Sequence, residues 1–167
     1  MRELVQYIFL FVALLLLQVF VLNNIHIAGW ATPFLYILFF LKLPTEMSRN
    51  WSITLGFIFG LIIDLFSNTP GLFALSTAFL AFLRNPLIYL YVPKDDVKNG
   101  APSYQTIGIG AFLKFAITAS LIFCFTIFFV ESFSLFNLKL LLLKIVTSTI
   151  LTFILIISIE SIKPINK

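Results

Sequence analysis

The sequence predicts an all-α integral membrane protein: one polytopic domain over residues 1–167, folded as a bundle of about six transmembrane helices. Three observations predict it. Hydrophobic residues make up 60% of the chain and charged residues 11%, whereas a soluble domain is about 45–50% apolar and about 25% charged. The mean hydropathy is +1.08, more than a domain of this size can hide inside itself. The apolar residues also fall in six continuous runs, not in the alternation over about 10 residues that marks β-barrel strands. The same composition excludes a disordered chain, and a lone cysteine, Cys124, excludes a disulfide scaffold.

The first run, residues 4–22, is broken only by Gln6, Tyr7 and Gln18. It is longer than the apolar core of a signal peptide, and no A-x-A-like site follows it, so it is expected to be a retained span. The second run, residues 30–43, is short. Pro33 suits the first turn of a helix and Pro44 cannot continue one. This run tilts little, thins the bilayer or is partly re-entrant. After the polar connector 45–50, a third span covers residues 51–66, and 67–71 (SNTPG) reads as a turn. The fourth, 72–92, crosses Arg84 and Pro86, where a kink is expected. The longest polar stretch, 93–106, precedes the fifth span, 107–130, and the sixth covers 140–159.

Orientation follows from the basic residues. With both ends cytoplasmic, Arg2, Lys42, Arg49, Arg84, Lys94, Lys98, Lys163 and Lys167 fall inside, and Lys114 snorkels to the same side. Only Lys139 and Lys144 fall outside. The net charge of +4 is therefore positive-inside retention. The cations are scattered singly and in pairs without a basic stripe, so nucleic acid is not an expected partner and the lipid bilayer is.

Few positions suggest chemistry. Gly56, Gly60 and Asp64 are spaced by four in the third span and share one helix face, which lets a second backbone approach closely. Asp64 lies about 20 Å along the helix from Trp51, near the outer boundary. There it reaches the headgroups or caps the turn after it, or makes a packing or partner contact, with ion or proton handling a third alternative. On the partner reading, Asp64→Asn loosens the partner and leaves the fold intact. Arg84 is the second intramembrane charge, an anchor that snorkels inward or a partner contact. His26 has no second ligand at metal spacing, and Cys124 inside a span behaves as a small hydrophobe. No nucleophile elbow, phosphate-binding glycine loop or zinc motif occurs, so neither catalysis nor a metal or other cofactor is expected.

The ordered series Gly56, Gly60, Asp64, Gly71, then Ala74–Leu75 leading to Ala81–Phe82–Leu83–Arg84, resembles the bacterial rod shape-determining protein MreD family. The Pro33-x-x-Tyr36 to Leu43–Pro44 segment fits the same family. The resemblance covers about the first hundred residues and implies a non-enzymatic scaffold subunit of the cell-elongation (rod) complex in the cytoplasmic membrane, helping to control cell shape and peptidoglycan synthesis. It implies as partners an MreC-like protein, a RodA-type glycosyltransferase, a penicillin-binding transpeptidase and MreB filaments. Gly56, Gly60, Asp64, Gly71 and Arg84 are the expected packing or partner contacts, and Pro33, Pro44 and Pro86 the expected structural turns. The family is similar in overall fold to the substrate-binding subunits of energy-coupling-factor transporters, which implies the alternative of a vitamin-type transporter subunit. Such subunits hold a ligand with polar outer loops, and here those offer only Asn23, Asn24, His26, Trp30, Asn68 and Thr69. A lipid-handling enzyme would need several intramembrane charges around a cavity.

Overall fold

The computed structural model describes residues 2–22, 31–93, 100–132 and 137–162, with side chains from residue 5 onward. His26, Lys94, Lys98, Lys163 and Lys167 lie outside the described residues, as do Asn23, Asn24 and Trp30. The described chain is all-helical: α1 (Arg2–Phe20), α2 (Ile37–Lys42), α3 (Arg49–Ser67), α4 (Leu72–Tyr91), α5 (Ile109–Glu131) and α6 (Leu138–Ile162). The last four are long and apolar enough to cross a membrane, and Val5–Phe20 is a shorter apolar stretch. The chain is a multi-pass membrane protein.

The long helices pack in chain order, α3 on α4, α4 on α5 and α5 on α6, with α1 against α3. Their ends fix the directions. Phe20 meets Phe66, so α1 and α3 run parallel, while Glu131 pairs with Lys144 at 3.6 Å across the α5–α6 junction. Outward faces carry apolar side chains one turn apart: Phe57, Leu61 and Leu65 on α3, and Val146, Ile150 and Ile154 on α6. A stripe at this spacing faces lipid while the opposite face packs.

The second run departs from the expected spans. Residues 31–36 are not helical, and the helix that follows has six residues, every one buried. A six-residue helix is about 9 Å long, too short to span. The segment instead enters the middle of the bundle between the other helices. Between Phe34 and Leu41 its side chains are apolar apart from the Tyr36 hydroxyl, and Tyr36, Ile37 and Phe40 are wholly enclosed. The Tyr36 ring stacks on Phe59 at 5.2 Å, Phe39 meets Phe11 at 5.3 Å, and Phe34 meets Phe123 at 5.2 Å. Aromatic pairs at these separations prefer the offset and edge-on geometries seen here. Pro44 closes the segment, directly after Leu43 in extended backbone.

The α3–α4 hairpin is the tightest contact. The buried face of α3 reads Ser52, Gly56, Gly60 and Asp64, one residue per turn. A Cβ on Gly60 would overlap the Ala74 Cα and lie 2.5 Å from both Ala74 N and Phe73 O. One on Gly56 would lie 3.0 Å from Thr77 O and 3.1 Å from Ala81 Cβ. The turn between the helices uses Asn68 at φ 55° and Gly71 at φ 83°, the left-handed region that Asn tolerates and Gly occupies freely. The kink expected at Pro86 does not end α4, which continues through it to Tyr91.

Gly60→Ala should therefore cost about 1–3 kcal/mol by overpacking against backbone that cannot yield, and Gly56→Ala should cost less. Thermal unfolding in detergent measures both, and equal losses would contradict the closer approach at Gly60.

Candidate functional site

Backbone without helical hydrogen bonds is tolerated at membrane depth only where protein groups satisfy it. Residues 31–36 pose that problem, and α6 supplies most of the answer. The Thr32 N–H donates to Ser148 Oγ at 3.0 Å, and the Phe34 N–H donates to Thr152 Oγ1 at 3.0 Å. Pro33, between them, has no N–H to satisfy. Its carbonyl accepts from Gln18 Nε2 of α1 at 3.0 Å.

The spacing works because two extended residues rise about 6.6 Å, close to the ~6 Å of four helical residues. Thr32 and Phe34 thus match Ser148 and Thr152. Further along the same α6 face stand Ile156 and Glu160, all of them buried. Glu160 Oε1 lies 2.5 Å from Lys42 Nζ, both side chains being almost fully enclosed. The segment and α6 therefore run parallel, joined at three levels of one polar ladder.

From α4, Thr77 Oγ1 donates to its own helix at Phe73 O, 2.7 Å away. Its single proton is then used, so the 3.0 Å contact with Tyr36 has the tyrosine hydroxyl as donor. Arg84 finishes the segment. Its Nη2 donates to Leu43 O, and its Nη1 donates to Pro44 O at 3.3 Å and to Asn85 Oδ1 at 3.1 Å. Leu43 and Pro44 follow the end of α2, and the guanidinium bonds their carbonyls, a charge-assisted contact.

Arg84 is 1% exposed, so it does not snorkel inward as an anchor. Asp64 is equally internal. Its Oδ1 accepts from Thr69 Oγ1 at 3.0 Å and from Phe73 N–H at 2.9 Å, and its Oδ2 accepts from Ala74 N–H at 2.9 Å. It is an N-cap for α4 supplied by the preceding helix, satisfying donors in the first turn that have no helical partner. Gly56 and Gly60 sit under α4 of the same chain. The structure thus brings Gly56, Gly60, Asp64 and Gly71 into one hairpin, and Pro33, Pro44 and Arg84 into the buried segment. Pro86 is exposed on α4 and belongs to neither group.

Sequence reasoning missed Gln18, Ser148, Thr152 and Glu160 as ligands of the segment, and placed Lys42 among loop cations. A faint signal existed: Ser148, Thr152 and Glu160 fall at multiples of four within an apolar helix. Among the described residues no group of three or more His, Cys, Asp or Glu could hold a metal. No family model, curated protein or solved structure matches the chain.

Two substitutions follow from these contacts. Thr152→Val keeps the shape but orphans the Phe34 N–H, and Asp64→Asn replaces one acceptor oxygen by an NH2 that faces an amide N–H. Each should cost about 1–3 kcal/mol, so Asp64→Asn is no longer expected to leave the fold intact. Thr147→Val, where the exposed hydroxyl bonds only to carbonyls of its own helix, should stay within about 0.5 kcal/mol of wild type. Detergent unfolding of the three variants checks the order, and a Thr152→Val protein as stable as Thr147→Val would refute the role of Thr152.

Proposed function

We propose that this chain is a non-enzymatic membrane scaffold of the MreD type, a subunit of the rod complex that helps to control cell shape and peptidoglycan synthesis. One observation carries the reading beyond the resemblance. Asp64, Arg84, Thr152 and the Lys42–Glu160 pair each bond to the chain's own backbone or side chains. Along their middles, α3, α5 and α6 turn mostly apolar side chains outward. A molecule so built interacts through helix faces, and in lipid such faces associate by packing.

In this reading the end of the bundle that carries Lys42 faces the cytoplasm. Arg49 and Lys114 are exposed towards that end, and Lys139 and Lys144 stand near the other, a bias in the sense of positive-inside retention. The proposed partners are an MreC-like protein in the same membrane, with a RodA-type glycosyltransferase and a penicillin-binding transpeptidase acting outside and MreB filaments inside.

The test is deletion in the native host combined with purification of the tagged protein in mild detergent. Loss of rod shape that no nutrient corrects, with an MreC-like protein in the purified fraction, is the expected result. Unchanged shape on deletion, together with saturable submicromolar binding of a vitamin by the purified chain, would replace this reading with the transporter subunit.

A further inference from the structure

At the Lys42 end of the bundle the contacts close into a circuit. The Lys42 ammonium, 2.5 Å from Glu160 Oε1, also stands 5.0 Å from the centre of the Phe112 ring of α5. Phe112 meets the Tyr104 ring edge-on at 5.1 Å. Tyr104 belongs to residues 100–107, the connector that leads into α5. Three residues beyond Lys42, the Thr45 N–H donates to Gly100 O at 3.1 Å, at the start of that connector. The connector therefore reaches the ion pair by two routes, through Phe112 and through the backbone that follows Lys42.

The carboxylate of the pair is also only partly satisfied. Among the described residues, Glu160 Oε2 is buried with no hydrogen-bond partner. Enclosing two charges costs desolvation that their attraction repays only when the remaining lone pairs are satisfied. The α3–α4 hairpin shares none of these residues, since it rests on Gly56, Gly60 and Asp64.

We propose that the Lys42–Glu160 pair is a latch that seats the connector 100–107 on the bundle. Closed, it holds Lys42 over Phe112 and sets Thr45 against Gly100. Opened, it frees the connector while the α3–α4 hairpin stays packed. The inference stands on contacts within the chain and is independent of the scaffold reading.

Hydrogen exchange on the full-length protein in lipid nanodiscs tests it, with two variants. Glu160→Gln removes the attraction and keeps the size. Lys42→Met/Glu160→Leu removes both charges, a change that buried pairs often tolerate without loss of fold. The latch predicts that the Thr45, Thr106 and Ile107 amides exchange about tenfold faster or more in the double variant, while residues 56–63 of α3 and 74–81 of α4 keep wild-type protection. Glu160→Gln should do the same if it folds, and the double variant decides if it does not. Wild-type exchange at Thr45, Thr106 and Ile107 in the double variant would overturn the proposal. So would an equal loss of protection in α3 and α4, which would make the pair a general stability element.

Discussion

The hydrogen bonding of residues 31–36 is the constraint around which the bundle is organised. A peptide group without a partner at membrane depth costs several kcal/mol, and water is not there to relieve it. The chain meets this by setting an amide from α1 and two hydroxyls from α6 against the non-helical segment, while the Arg84 guanidinium of α4 bonds the carbonyls that follow α2. Ser148 and Thr152 do more than accept hydrogen bonds. The segment between Phe34 and Leu41 is apolar on every side but for the Tyr36 hydroxyl, so burial alone sets neither its rotation nor its depth. Polar ties at both ends, with Lys42 and Glu160 closing the far one, select one register.

The α3–α4 hairpin solves a different problem by related means. Leu72 follows the turn so soon that the first amides of α4 are enclosed by α3. Asp64 gives each of its oxygens to that helix start, and Gly60 removes the side chain that would hold the two backbones apart. The carboxylate and the glycines are one device: the close approach makes the buried cap necessary and places it within reach. The fold is thus a tight α3–α4 hairpin with α5 and α6 packed in chain order, enclosing a threaded segment between α6 and α1.

How much of this the sequence disclosed depends on where each signal lives. The long helices α3 to α6 were legible because a span needs a continuous apolar run, and composition records that directly. Gly56, Gly60 and Asp64 were legible as a face because spacing by four is local. That the face meets α4 of the same chain is a tertiary fact. The 30–43 run stayed ambiguous because its length suits neither a full span nor a loop, and only the surrounding hydroxyls decide its path. Arg84 misled because its acceptors are the carbonyls of Leu43 and Pro44, which every sequence possesses. Glu160 was overlooked because its partner is 118 residues away, so nothing near it in sequence announces the pairing.

The most direct test of the central claim is disulfide trapping of the segment against α6, in membranes and in a Cys124→Ser background. The Thr32 amide and the Ser148 hydroxyl are hydrogen-bonded at 3.0 Å, so the two positions are neighbours, as trapping requires. Cysteines at Thr32 and Ser148 should cross-link rapidly under mild oxidation, and cysteines at Thr32 and Thr147, one residue around the helix, should not. Cross-linking of neither pair, or of both equally, would show that residues 31–36 do not run along the buried face of α6.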